Sequence, residues 1–321
     1  MRRIGLFIIV IIIAFCGYYY ALQSGLKRTL SQAPVTLAQD GITFNLKDIE
    51  YGGFPLNVRA DLTAPQAASS TGSIRAETLT LSASIFNPSQ WSVQTKGDLR
   101  VDMKTQGDKR YLFDISPSLI RGVFNASLSG DITSARLTGF KMMATPVIGQ
   151  APPIRAIDEF ELSILPSKNG MQYALTAKDV FLDRESAGQW QRVFGPQIHI
   201  VTFSGDAAAL SALSDEAILA WKNSGEFTIS DSEFIWGETV FKSLLALNLS
   251  GPNTSGKAVI KLREPEKLIK TLVETGMMDS GAAMMAQFML IAAPRDTEGL
   301  VELPLPIENG SVTFLGQRLY P

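Results

Sequence analysis

Two-residue alternation of apolar and polar side chains recurs along most of this chain and restricts its fold class more than any other feature. Residues 79–85 read Leu-Thr-Leu-Ser-Ala-Ser-Ile, and similar alternation returns at 56–63, 98–104 and 245–250. Successive side chains of a strand point to opposite faces of its sheet, so each segment presents one apolar and one polar face. Antiparallel sheets show this pattern, whereas parallel strands buried on both sides are continuously apolar. We therefore predict a β-rich α+β fold with large, curved antiparallel sheets of roughly a dozen to sixteen strands, whose apolar faces form either a closed core or an open groove.

The first residues form a separate and uniformly apolar segment. Arg2 and Arg3 precede an uncharged run from Ile4 to Leu22, and Lys27 and Arg28 follow it. A helix over this run, at ~1.5 Å per residue, approaches the ~30 Å thickness of the hydrocarbon core of a bilayer. We therefore expect an N-terminal transmembrane helix. The side chains expected to contact lipid are Ile4, Phe7, Ile8, Ile9, Ile11, Ile12, Ile13, Phe15, Tyr18, Tyr19 and Tyr20.

Two other fates of this segment are a cleaved signal peptide and a lipoprotein leader. Signal peptidase requires small residues after the apolar run, but three tyrosines, Ala21, Leu22 and Gln23 stand there. Lipoprotein processing at Cys16 would require a small residue before it, and Phe15 occupies that position. The preferred interpretation is an uncleaved single-pass anchor in the inner membrane, with its N-terminus in the cytoplasm and a large periplasmic domain. Cys16 is the only cysteine, so no disulfide can form within the chain.

The composition of the chain, with 45% hydrophobic and 19% charged residues, is typical of a globular protein. Residues 1–33 are expected to form the anchor and a stalk helix that Pro34 ends, and residues 34–321 an exported β-rich domain. The Pro-rich segment at 146–153 is a candidate boundary between two halves of that domain. Capping residues and apolar periodicity predict a few short helices, at 215–222, 265–275 and 281–293.

The motifs of catalysis and metal binding are missing from the sequence, so no catalytic, cofactor-binding or metal-binding residue is assigned. His199 is the only histidine, and it is expected on the same strand face as Val201 and Phe203. One imidazole, with the single thiol of Cys16 inside the anchor, cannot supply a structural zinc site. The segment 251–257 is similar to a phosphate-binding loop, but Ala258 replaces the required hydroxyl and a strand pattern follows. A net charge of −2 also argues against a nucleic-acid partner.

A cluster of methionines near the C-terminus is the one positive feature. Methionine is flexible and polarizable, so surfaces rich in it adapt to apolar partners of variable shape. We interpret the cluster either as a contact for lipid acyl chains or a partner helix, or as a core helix packed over the sheet, and the two are compatible. The residues concerned are Met277, Met278, Met284, Met285, Phe288 and Met289.

Several short motifs resemble a known bacterial family. They are Tyr-Gly-Gly-Phe-Pro-Leu at 51–56, Trp91 at the start of another strand, the region from Trp221 to Trp236-Gly237, and Asn-Gly-Ser-Val at 309–312. Together with the basic-tipped anchor they resemble the family with the domain of unknown function numbered 2125. One anchor followed by a long β-rich region is also similar, in architecture, to the AsmA-like proteins of Gram-negative envelopes, which are implicated in lipid transport and outer-membrane assembly.

Three functional hypotheses follow from these features. The leading one is a non-enzymatic, membrane-anchored periplasmic protein that handles lipid or assists envelope assembly through an apolar sheet face. The alternative is a structural scaffold that binds envelope proteins without lipid. An enzyme is the least favoured, because no sequence motif clusters ionisable side chains as an active site would. The expected partners are the inner-membrane bilayer, lipid acyl chains and envelope proteins, without a cofactor.

Overall fold

The computed structural model describes residues 2–39, 41–104, 110–116, 119–127, 131–149, 151–250, 254–309, 311–314 and 317–318, with side chains described from Ile13 onward apart from 149, 186, 215, 313–314 and 317–318. These residues form eighteen strands and six helices, so the chain is β-rich as the alternation predicts. It divides into two compact units. Unit 1 comprises Met1–Gly130 and Met142–Ala151, and unit 2 comprises Asp131–Lys141 and Pro152–Pro321.

Unit 1 contains the N-terminal helix and a sheet built around two long strands. Strand β5 pairs antiparallel with β3 and β4 along successive parts of one edge and with β6 along the other. Strand β6 pairs in turn with β8 and β7, and β7 with the second part of β9. The elements are α1 (Arg2–Gln39), β1 (Thr43–Asn45), β2 (Asp48–Gly52), β3 (Asn57–Thr63), β4 (Gln66–Ser69), β5 (Gly72–Ser84), β6 (Asn87–Lys104), β7 (Arg110–Ser116), β8 (Ile120–Ala126) and β9 (Ile132–Gly149).

Helix α1 packs against the apolar face of this sheet. Tyr19, Leu26 and Leu30 lie on one side of the helix, since their spacings of seven and four residues are close to whole turns. All three are buried in a core cluster with the alternate side chains of β3, of which Val58 and Leu62 are almost fully buried. The core of unit 1 therefore lies between α1 and strands β2, β3 and β5.

The predicted end of this helix at Pro34 is wrong, because α1 continues through Pro34 to Gln39. An interior proline removes one backbone hydrogen bond and costs a helix about 3 kcal/mol. The burial of Leu26 and Leu30 on the sheet contributes ~1.5–3 kcal/mol each and offsets that cost. Within the residues that the structure describes, no helix combines the length and apolar character that crossing a membrane requires.

Unit 2 is an antiparallel meander in which each strand from β10 to β16 pairs with the next along the chain. Helices are inserted between some of these strands. Besides the first part of β9, the elements are β10 (Ile154–Ser167), β11 (Gly170–Leu182), α2 (Arg184–Ala187), α3 (Trp190–Phe194), β12 (Gln197–Ala208), α4 (Asp215–Ser224), β13 (Glu226–Trp236), β14 (Thr239–Asn248), β15 (Ser255–Leu262), α5 (Pro265–Glu274), α6 (Ser280–Ala292), β16 (Val301–Glu308), β17 (Ser311–Phe314) and β18 (Gln317–Arg318).

The three helices predicted in this region are confirmed, with the expected caps. The Ser214 hydroxyl accepts the Ala217 N–H at the start of α4, and α5 begins at Pro265. One carboxylate oxygen of Asp279 accepts the N–H groups of Gly281 and Ala282 at the start of α6. Helices α2 and α3 were not predicted, because four or five residues are too few to show a helical period.

Candidate functional site

One face of the unit 2 sheet is apolar across its strands. Leu162, Leu175 and Phe203 stand directly opposite one another on β10, β11 and β12, and Leu245, Ala258 and Leu305 do so on β14, β15 and β16. The neighbouring positions, such as Thr176 and Thr202, carry polar side chains on the other face. Hydrophobic alternation in the sequence therefore produces an amphipathic sheet.

An aromatic cluster on helix α3 covers one part of this apolar face. Buried Phe194 stacks on Trp236 with ring centroids 4.7 Å apart, and its ring meets the edge of Phe241 at 6.0 Å. The Trp236 indole N–H donates to the carbonyl oxygen of Gly195 at 2.8 Å. These contacts fix α3 against β13 and β14.

A second cluster lies beside helix α4. Tyr173 stacks on Phe227 at 5.1 Å, and its hydroxyl donates to the carbonyl oxygen of Thr228 at 2.7 Å. Burial, with the nearby charge of Asp206, raises the pKa of Tyr173 to about 12, so the phenol remains a neutral donor. Trp221 of α4 contacts the same Phe227 ring. This part of the face is filled by aromatic side chains and is not an ionisable site.

Away from these clusters the apolar face is less completely covered. Leu175 is half-buried, as is Phe203, whose ring borders the second cluster at 6.0 Å from Tyr173. Leu245 and Leu305 on the later strands are also half-buried, whereas Met171 beside α4 is buried. Half-buried leucine and phenylalanine side chains retain apolar surface that a further apolar group could cover. This partly covered face extends toward the strand on which helices α5 and α6 pack.

Helix α6 is apolar apart from Ser280 and Gln287, and only one side of it is packed. Ala283 and Leu290 are buried in a cluster with Ile269 of α5 and Val301 of β16. Met278 packs against that cluster and Met277 is half-buried, but both residues precede the helix, which begins at Ser280. The interpretation as a core helix therefore describes this half of the helix.

The outer side of α6, here called the methionine surface, consists of Met284, Met285, Phe288, Met289 and Ile291. Met284, Met285 and Phe288 are 62%, 63% and 68% exposed, and Ile291 is 81% exposed. No residue of α6 carries a charge. A soluble protein seldom exposes so contiguous an apolar patch unless it binds something. Four of the six predicted contact residues thus share one exposed surface, and the sequence alone did not distinguish them from Met277 and Met278.

His199 lies on the opposite face from the one expected. Residues of β12 from Ile198 to Ile200 form a bulge, so Ile198 rather than His199 shares the apolar face with Val201. The exposed His199 ring is 3.5 Å from a carboxylate oxygen of Asp179, whose backbone has a positive φ of 49°. An inserted residue reverses the alternation that follows it, and Ile198, His199 and Ile200 include no turn-forming residue that would reveal the bulge.

The described residues contain no group of three or more histidine, cysteine or acidic side chains placed to hold a metal ion. The segment similar to a phosphate-binding loop leads into strand β15 rather than a helix, as expected, although 251–253 lie outside the described residues. Asp279 caps α6 and its pKa is lowered by hydrogen bonds from Ala282 and Gly281, which is a structural role.

The residues expected in the anchor are described only in part. Side chains of Ile4, Phe7, Ile8, Ile9, Ile11 and Ile12 lie outside the described ones. Tyr19 is buried against the sheet of unit 1, and Phe15, one turn earlier, packs against the same cluster. Ile13, Tyr18 and Tyr20 are exposed. The three consecutive tyrosines therefore have different environments, and Tyr19, the middle one, packs in the core of unit 1.

Comparison with family models identifies the chain. Residues 20–317 match the family described as an uncharacterized protein conserved in bacteria (DUF2125). The protein belongs to this family. Comparison with curated proteins and with solved structures gave no match.

The motif at 51–56 that resembles the DUF2125 family forms the β2–β3 turn. Gly53 has a φ of 98°, and a Cβ atom there would collide with the carbonyl oxygen of Asn57. The N–H of Asn57 donates to the Gly53 carbonyl oxygen at 2.9 Å and closes the turn. The glycine is thus required by backbone geometry. The turn presents Phe54 at its tip, where 60% of the side chain is exposed.

Proposed function

We propose that this DUF2125 protein is a non-enzymatic, membrane-anchored envelope protein that handles lipid. Acyl chains contact the methionine surface of α6 and the partly covered apolar face of the unit 2 sheet. The observation that carries the proposal is the exposure of Met284, Met285, Phe288 and Ile291 on a helix whose other side already packs on β16.

Covering these four exposed side chains would stabilise a lipid complex. Covering one large apolar side chain stabilises by ~1.5–3 kcal/mol when the whole side chain is buried. Because between 62% and 81% of each is exposed, covering all four is worth about 5 kcal/mol, a substantial fraction of the stability of a domain. Methionine accommodates acyl chains of different shape because its unbranched side chain has several rotatable bonds.

The anchor is the second part of the proposal. The uncharged run from Ile4 to Leu22, with Arg2 and Arg3 before it and Lys27 and Arg28 after it, supports a single inner-membrane span. The N-terminus then lies in the cytoplasm and the two units in the periplasm. A location beside the bilayer would give unit 2 access to lipid, in the manner suggested by the architectural similarity to AsmA-like envelope proteins.

Photo-crosslinking tests this proposal. The full chain is reconstituted in phospholipid nanodiscs that contain a phospholipid with a diazirine at the end of one acyl chain, and adducts are mapped by mass spectrometry. We expect adducts on α6 and the apolar strand faces, reduced in a Met284→Gln/Phe288→Gln variant. Leu219→Gln is the matched control, because Leu219 is an equally exposed apolar residue on α4. Adducts confined to the N-terminal helix would contradict lipid handling by unit 2.

The same methionine surface also suits the alternative, a scaffold that docks a partner helix. Amphipathic helices dock through apolar residues spaced three to four apart, and Met284, Phe288 and Ile291 have this spacing. A photoreactive amino acid placed at position 288 in cells distinguishes the two. Crosslinks to one envelope protein without any lipid adduct would favour the scaffold.

A further inference from the structure

Two hairpin turns of unit 1 form one apolar patch. The β2–β3 turn exposes Phe54 and Leu56, and the β5–β6 turn exposes Phe86, which is 76% exposed. The two turns lie side by side, since the N–H of Ile85 donates to the carbonyl oxygen of Leu56 at 3.1 Å. Ile85 itself is buried in the core, so it anchors the second turn while Phe86 points away from it.

Helix α1 passes this patch at Tyr19. The Tyr19 hydroxyl donates to the carbonyl oxygen of Gly52 at 3.1 Å, and its ring meets the edge of the Phe54 ring with centroids 5.1 Å apart. Exposed Tyr18 and Tyr20 flank it. The two turns are therefore level with the point where the uncharged run of the helix nears its end.

The length of α1 gives the depth at which Tyr19 and the two turns would lie in a bilayer. From Ile4 to Tyr19 the helix rises about 22 Å at ~1.5 Å per residue, which is less than the ~30 Å of a hydrocarbon core. A helix that spans the core must therefore hold Tyr19, and the turns beside it, at or inside the boundary of the hydrocarbon. Charged or polar turn tips would oppose that position, whereas Phe54, Leu56 and Phe86 favour it.

The basic residues that follow lie at the height of the lipid headgroups. Lys27 is about 7 to 8 Å beyond Leu22 along the helix axis, close to the thickness of one headgroup layer. Its Nζ atom lies 5.0 Å from the centroid of the Tyr51 ring, so it stays beside the sheet. Arg28 is exposed next to it. Cations at this height complement lipid phosphates, and tyrosine rings suit the layer beneath.

We propose that the β2–β3 and β5–β6 turns insert into the periplasmic interface of the bilayer that holds α1, with Phe54, Leu56 and Phe86 at the hydrocarbon boundary. The membrane is contacted at three places along unit 1 rather than through the helix alone. This holds the unit 1 sheet at a set height and orientation above the bilayer. The inference rests on the anchor of the proposed function and adds the two turns to it as further membrane contacts.

Site-specific labelling tests the insertion. In a Cys16→Ser background, the full chain carrying Phe86→Cys is labelled with an environment-sensitive dye and reconstituted in vesicles of phosphatidylethanolamine and phosphatidylglycerol. We expect blue-shifted emission and strong quenching by a nitroxide attached near the headgroup end of the acyl chain. Phe86 suits the label because it lies outside the core cluster. Ile74→Cys is the matched control, since Ile74 is an exposed apolar residue of β5 at the end far from the β5–β6 turn.

A third label separates the two proposals. Ile8→Cys reports whether α1 enters the bilayer. If the label at position 8 is quenched by deep nitroxides while that at 86 is as solvent-exposed as that at 74, the turn insertion is wrong and the anchor stands. If the label at position 8 is also solvent-exposed, both are wrong.

Discussion

The Nζ atom of Lys261 on β15 donates a hydrogen bond to a carboxylate oxygen of Asp296 at 2.9 Å, and it also lies 2.9 Å from Glu302. The other oxygen of Asp296 accepts the N–H groups of Glu298 and Leu300 at 2.9 Å each. Leu300 is almost fully buried. One carboxylate therefore holds the loop that leads from α6 into β16.

This arrangement predicts an acid-labile loop. The hydrogen bond from Lys261, with those from the Leu300 and Glu298 N–H groups, lowers the pKa of Asp296. A carboxyl whose pKa is lower in the folded state stabilises the fold above its unfolded pKa of about 4, and that stability is lost as the pH falls through the folded value. We expect Asp296→Asn to weaken the acid dependence of urea unfolding between neutral and acidic pH. Asp158→Asn, at an exposed position of β10 outside the described ion pairs, is the control; an equal effect of both would contradict the assignment.

The packing of α1 predicts a stability effect in unit 1. Leu26 is buried between the helix and β3, so Leu26→Ala should destabilise unit 1 by about 2–4 kcal/mol through lost transfer energy and a residual cavity. Hydrogen exchange of β3 amides, measured by mass spectrometry, reports the loss. Thr29→Ala on the exposed side of the same helix should leave it unchanged. Equal protection in wild type and Leu26→Ala would show that the helix is not docked.

The β2–β3 turn offers a pair of adjacent glycines for comparison. Gly53→Ala should lower stability by about 2 kcal/mol, because alanine is disfavoured at positive φ and its Cβ would meet the Asn57 carbonyl. Gly52→Ala should have little effect, since Gly52 has open space around its Cβ position. Thermal unfolding of the two variants checks this. A larger loss in Gly52→Ala would refute the turn geometry.

The two sides of α6 should respond differently to truncation. Leu290→Ala should cost about 2–4 kcal/mol because Leu290 is buried against α5 and β16. Met285→Ala should change the free energy of unfolding by less than ~0.5 kcal/mol, because its side chain is mostly exposed. Denaturant unfolding monitored by tryptophan fluorescence measures both. Similar losses would mean that the outer side of α6 is packed.

Much of the fold could be predicted, because apolar side chains repeat every two residues in a half-buried strand and every three to four in a half-buried helix. Both repeats are visible within a short stretch of sequence. Alternation located β3, β5, β6 and β14, and capping residues located α4, α5 and α6. The errors occur where local rules were overridden. The helix passes Pro34 because side chains from a distant sheet stabilise it, and the bulge at His199 reverses its face because β13 pairs out of register there.

For the candidate site, the composition of the sequence located the methionine cluster but could not show which of its residues are buried and which are exposed. An evenly apolar helix carries no period that marks its inner side, so only packing against Ile269 and Val301 separates the buried Leu290 from the exposed Phe288. The patch of Phe54, Leu56 and Phe86 likewise joins residues about thirty positions apart. Local spacing along the chain specified the strands and helices, whereas contacts between distant residues selected which apolar side chains stay uncovered, because burial depends on what packs opposite a side chain.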